Sequence, residues 1–123
     1  MTDQSVPELY GIPAWGQGLV RVLDNGDAAL ADPLTSDKPP VSLPSIVKDL
    51  RERGIGTPIL LRVNSFLELG LKRLNEAFIN SIAQFGYNGV YRGVFPIKVN
   101  QQAEVVHRLV EAGQKYHYGL EAG

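Results

Sequence analysis

The sequence predicts an α/β fold. In its second half, short β-branched and aromatic runs alternate with helical periodicities in the order strand, helix, strand, helix, strand, and glycines stand at the helix exits. Parallel strands joined by helical crossovers produce such alternation, as in a barrel or a doubly wound sheet. Within 123 residues there is room for three of these strands and two helices, whereas a closed (β/α)₈ barrel takes roughly 250 residues. The expected architecture is therefore an N-terminal arm, β-hairpin and linker over residues 1–41, followed over 42–123 by the first βαβαβ units of a (β/α)₈ TIM-type barrel, incomplete in this chain. The alternative is a small complete α/β domain that pairs with itself or with a partner.

Residues 1–16 are punctuated by Pro7, Gly11, Pro13 and Gly16 and read as an irregular arm, with Tyr10 and Trp15 as its anchors. LVRVL and AALA flank Asp24-Asn25-Gly26-Asp27, and an Asn-Gly pair between apolar runs predicts a hairpin with a type I′ turn. DPLTSDKPPV, residues 32–41, has three prolines and no periodicity, which marks a linker. Ser42 then precedes Leu43, Ile46, Val47 and Leu50 at helical spacing, and Gly54 is placed to end that helix in the left-handed conformation.

PILLRV, residues 58–63, is nearly continuous in apolar character and predicts a strand buried on both faces. Asn64 or Ser65 can cap the next helix, whose apolar positions Leu67, Leu71, Leu74, Phe78, Ile82 and Phe85 keep a helical period. Val90–Val99 reads as a strand, with Pro96 tolerable only near its end. A second helix carries Val105, Val106, Leu109 and Val110, stops at Gly113, and gives way to a strand over Tyr116–Leu120.

Composition narrows the function. Twelve Lys plus Arg against thirteen Asp plus Glu leave a net charge of −1, which gives no electrostatic footprint for nucleic acid or an anionic membrane. The absence of cysteine excludes disulfides, thiolate zinc sites and a thiol nucleophile. The N-terminus has neither the basic region nor the apolar stretch of a signal peptide, so the expected location is the cytoplasm.

Lys98 stands at the C-terminal end of a predicted parallel strand, where α/β barrels build their active sites. An amine set among Ile97 and Val99 is expected to be partly desolvated, which favours the neutral nucleophile that condenses with an aldehyde cofactor. The bland reading is a lysine that snorkels into solvent. Glu121 ends the next strand and would face the same mouth; the alternative is a solvated loop carboxylate. Asn100, Gln101 and Gln102 follow Lys98, and Asn100 either bonds a cofactor or caps a helix. Arg62 interrupts an apolar strand, where a buried guanidinium demands a partner. His107 reads as a solvated helix residue and His117, between two tyrosines, as a packed one.

The stretch FPIKVNQQ, with LLRV and LKRLNEAF upstream and YHYGLEAG downstream in that order, resembles the N-terminal part of the biosynthetic arginine decarboxylase family. YGIPAWGQG followed by a hairpin is similar to how that family begins, so the resemblance covers nearly the whole chain. It implies a pyridoxal-phosphate enzyme of the alanine racemase-like barrel type that converts L-arginine to agmatine and carbon dioxide, with Lys98 forming the Schiff base and Glu121 lying close to it. It implies as well a dimer-based homo-oligomer, an association with magnesium, and a place in polyamine biosynthesis. Phe95 stands where the family has tyrosine, and Val63 where phenylalanine is usual. The groups that hold the cofactor phosphate, stack on its ring and pair with its pyridine nitrogen belong in that family to later strands. This chain alone is therefore expected to be inactive. Two other readings are a pyridoxal-phosphate carrier without decarboxylase activity and a small non-enzymatic α/β module.

Overall fold

The computed structural model describes residues 5–32, 34 and 37–123. The first four residues of the expected arm, and Pro33, Thr35 and Ser36 of the expected linker, lie outside the described residues. The chain divides into two compact units, residues 1–62 and residues 63–123.

The first unit begins with two helical turns, α1 (Val6–Leu9) and α2 (Ile12–Gly16), where the sequence suggests an irregular arm. Ser5 opens α1 by donating from both its backbone nitrogen and its hydroxyl to the Glu8 carboxylate. The anchors differ from those expected. Tyr10 and Trp15 are 68% and 60% exposed, with the indole Nε1 donating to the Tyr10 carbonyl at 2.9 Å, while Ile12 is buried. The aliphatic side chain alone has no polar edge to keep wet, so it is the one that seats.

The hairpin is present: β1 (Val20–Val22) pairs antiparallel with β2 (Ala28–Leu30), Val20 opposite Leu30 and Val22 opposite Ala28. Its turn is not type I′. Leu23 N donates to Asp27 O at 2.9 Å and Gly26 N to Leu23 O at 2.8 Å, and only Gly26 has positive φ, +87°. That is a three-residue loop closed by a left-handed glycine. Asn25 is held outside the left-handed region because its side-chain oxygen accepts from Asp27 N at 3.1 Å. The end of the expected linker adds a third strand, β3 (Val41–Ser42), antiparallel to β2.

Ser42 is the joint of this unit. Its hydroxyl donates to Asp27 at 2.6 Å and accepts from Ser45 N at 3.2 Å, so one side chain ties the hairpin turn to the start of α3 (Leu43–Glu52). Gly54, at φ +80°, ends α3 as the sequence predicts, with Ile55 N reaching Leu50 O and Gly54 N reaching Arg51 O.

PILLRV forms no strand. No sheet includes it, Leu60 is 76% exposed and Arg62 is exposed, so neither the buried strand nor the buried guanidinium is realised. An apolar run becomes a central strand only when a neighbour on each side takes its backbone hydrogen bonds. The boundary between the two units falls inside this run.

The second unit starts with α4 (Asn64–Phe85), which Val63 caps through its extended backbone rather than Asn64 or Ser65 through a side chain. Leu69, Leu71 and Asn75 are its buried residues, and Asn75 donates Nδ2 to the Leu71 carbonyl at 2.8 Å. β4 (Val94–Pro96) follows, shorter than the expected Val90–Val99, then α5 (Ala103–Gly113), a 3₁₀ turn over Gln114–Tyr116, and β5 (Gly119–Glu121). The expected strand over Tyr116–Leu120 is thus displaced towards the C-terminus. His117 leaves the 3₁₀ turn at φ +52° and is exposed, not packed; His107 is exposed as expected.

β4 and β5 pair in parallel, so the strand–helix–strand part of the prediction is realised, but two strands are no closed barrel. Gly119 N donates to Gly93 O and Ile97 N to Glu121 O, both at 2.9 Å. The odd-numbered residues of β4 therefore face β5, and Pro96, lacking an N–H, points to the other edge where it costs no ladder bond.

α5 and β5 meet at Tyr118. A Cβ on Gly113 would stand 2.7 Å from the Tyr118 Cβ, and one on Gly93 would stand 2.7 Å from its Cδ2. Gly113→Ala should therefore destabilise the chain by about 1–3 kcal/mol through overpacking. Gly70→Ala, in mid-α4 with open space around it, should instead stabilise by about 0.5–1 kcal/mol. Urea unfolding of the two variants checks both signs.

Candidate functional site

Parallel pairing brings the C-terminal ends of β4 and β5 together, with Pro96 in register with Glu121. One residue past the last ladder bond the chain turns: Val99 N donates to Pro96 O at 3.1 Å, and Lys98 sits on this turn. Asn100 then accepts Gln102 N on its Oδ1 at 3.1 Å, an Asx turn that leads the backbone into α5, whose N-cap is Gln102. Its Nδ2 remains a donor. Lys98, Asn100 and Glu121 therefore share one end of the strand pair, as the sequence reading requires of a site.

Their environments differ from one another. Lys98 and Val99 are exposed, so the partial desolvation expected of the amine is not found; the turn has only a two-stranded sheet beneath it. Asn100 and Glu121 are half-buried. Glu121 Oε1 accepts from Gly123 N at 2.6 Å, and among the described residues no ion pair joins Glu121 to Lys98. Gln101 and Gln102 are exposed. Among the described residues no three His, Asp or Glu side chains lie close enough to hold a metal ion, and no helix is long and apolar enough to cross a membrane.

Two features were not foreseen. At the opposite end of the pair, the Tyr118 hydroxyl donates to Val94 O at 3.3 Å. Burial, reinforced by the neighbouring Tyr91 hydroxyl, pushes the Tyr118 phenol above its ordinary 10.0. Gly93 was the available signal, since a glycine inside a strand pattern marks a close approach. The second is a cavity of about 380 Å³ with Ile79, Ile82 and Val90 as apolar wall, Tyr91 and Tyr116 as aromatic wall, and Arg92, Lys115 and His117 at its edge. Nothing in their spacing along the chain could have gathered these residues.

No protein-family model matches the chain. It is 44% identical over 94% of its length to the biosynthetic arginine decarboxylase of Prochlorococcus marinus, 42% over 99% to that of Deinococcus radiodurans, and 38% over 99% to that of Gloeobacter violaceus. In sequence the chain matches an N-terminal portion of biosynthetic arginine decarboxylases. It spans 18%, 18% and 19% of the lengths of these three decarboxylases.

Because the raised Tyr118 phenol is neutral when folded, the stability it contributes is present below pH 10.0 and is lost as pH rises through its higher folded-state value. Absorbance titration of the tyrosinates should show a late phase that Tyr118→Phe removes. A wild-type curve with no late phase would contradict the burial argument.

Proposed function

We propose that this chain is the part of an arginine decarboxylase that supplies the lysine for pyridoxal phosphate, and that the whole protein converts L-arginine to agmatine and carbon dioxide. The observation that carries the reading is the sharing of one sheet end by Lys98, Asn100 and Glu121 in a chain matched along nearly all its length by enzymes of that name.

The residues present fit the cofactor's aldehyde end. The primary amine of Lys98 is accessible and, among the described residues, is committed to no carboxylate. When bound, pyridoxal phosphate supplies an electron sink for the pair left on the substrate α-carbon as carbon dioxide departs. Lys98 is the residue that would hold the cofactor through its aldehyde, with its primary amine as tether and nucleophile. Glu121 contributes a carboxylate at the same end, suited to stabilise a cationic nitrogen and to fix the direction of its proton. The half-buried Asn100 keeps its Nδ2 to donate while its Oδ1 serves the Asx turn.

Groups for the phosphate and the pyridine nitrogen fall outside this reading of the chain, and the described residues offer no donor cluster for magnesium. The chain alone is therefore inactive in this proposal, and decarboxylation belongs to a protein of its relatives' length.

Borohydride reduction in the presence of pyridoxal phosphate, followed by peptide mapping, should label Lys98 selectively in a protein of that length, with Lys38, Lys48, Lys72 and Lys115 unlabelled. Labelling spread evenly over the lysines would count against the assignment. In the same protein Glu121→Gln should lower kcat about a hundredfold, as expected for loss of one preorganised charge contact, while Lys98→Ala should abolish both labelling and carbon dioxide release.

A further inference from the structure

The sequence holds two Asn-Gly pairs, Asn25-Gly26 and Asn88-Gly89, and both asparagines are exposed. Asparagine is chemically labile, and most so before glycine, where no Cβ obstructs the following nitrogen and the backbone is free to bend. The glycine backbone nitrogen attacks the asparagine Cγ and gives up its proton, a carbon–nitrogen bond forms, and the Cγ–Nδ2 bond breaks so that the side-chain nitrogen, having gained a proton, leaves as ammonia. Water then opens the resulting five-membered imide at either carbonyl to give aspartate or isoaspartate. Nothing is oxidised or reduced, and water is the only co-reactant.

The folded chain treats its two pairs differently. At Asn25 both partners are engaged: Gly26 N donates to Leu23 O at 2.8 Å, and the Asn25 side-chain oxygen accepts from Asp27 N at 3.1 Å. Attack there would first require breaking the hydrogen bonds that shape the hairpin turn. At Asn88 no hydrogen bond among the described residues holds either the side-chain amide or Gly89 N, and both residues lie in a bend outside any helix or strand. The exposed Tyr87 ring lies where a Cβ on residue 89 would stand.

We propose that Asn88-Gly89 is a site of spontaneous deamidation in the folded chain and that the hairpin protects Asn25-Gly26. The product places a new negative charge next to Gly89, which lines the cavity edged by Arg92, Lys115 and His117. In its isoaspartyl form it also lengthens the main chain by one methylene between α4 and β4, the strand that leads to Lys98.

The test is to age the chain in mildly alkaline buffer, with and without urea, and to follow aspartate and isoaspartate at both positions by peptide mass spectrometry. In buffer, conversion at Asn88 should run severalfold faster than at Asn25, and in urea the two rates should converge. Equal rates in buffer, or faster conversion at Asn25, would overturn the proposal. So would a ratio that survives unchanged in urea, because local sequence rather than the fold would then set it.

Discussion

The second unit depends on one close approach, the seating of Tyr118 between two glycines. Gly93 immediately precedes β4, Gly113 ends α5, and both are buried because the Tyr118 side chain occupies the space a methyl group would need at each. Its hydroxyl then reaches Val94 O across the pair. A single aromatic residue thus fixes the start of β4, the end of α5 and the start of β5, and parallel pairing does the rest: once Gly119 N meets Gly93 O, the register that sets Pro96 opposite Glu121 follows. Residues at the far end inherit their placement from this contact, which they never touch.

Much of the local structure was legible because short-range physics decides it. Ser42 caps α3 and Gly54 ends it, since each acts within a few residues of itself. The period of α4 and the order β4, α5, β5 were legible for the same reason. The type I′ turn was misread because two hydrogen bonds, from Gly26 N to Leu23 O and from Asp27 N to the Asn25 side chain, favour a three-residue loop in which only the glycine turns left-handed. PILLRV illustrates the other limit. Its composition suits a central strand, but a strand is a relation between neighbours, and no sequence window reports whether neighbours are in place.

The candidate site divides along the same line. Position along the chain was enough to put Lys98 and Glu121 at one end of the strand pair, because parallel strands separated by a helix must bring their C-terminal ends together. Burial was not legible. Apolar neighbours in sequence suggested an enclosed amine, yet alternate residues of a strand face opposite ways and those beyond its end face neither. Ile97 makes the last ladder bond, and Lys98 and Val99 fall on the turn beyond it.

That exposure bears on the chemistry proposed. A lysine becomes a nucleophile when burial or a neighbouring cation favours its neutral form, and a carboxylate acts strongly on a cationic nitrogen only where water is excluded. The described residues give Lys98 its location and Glu121 a shared end, but no enclosure. The contribution of this segment is then physical: it sets where the amine stands, through ladder bonds and the seating of Tyr118, and leaves the turn open among the described residues. An accessible amine on a fixed turn also has an advantage. Under the proposed function it would be open to an aldehyde from solvent, and the cost of desolvating it would fall on whatever contacts enclose it.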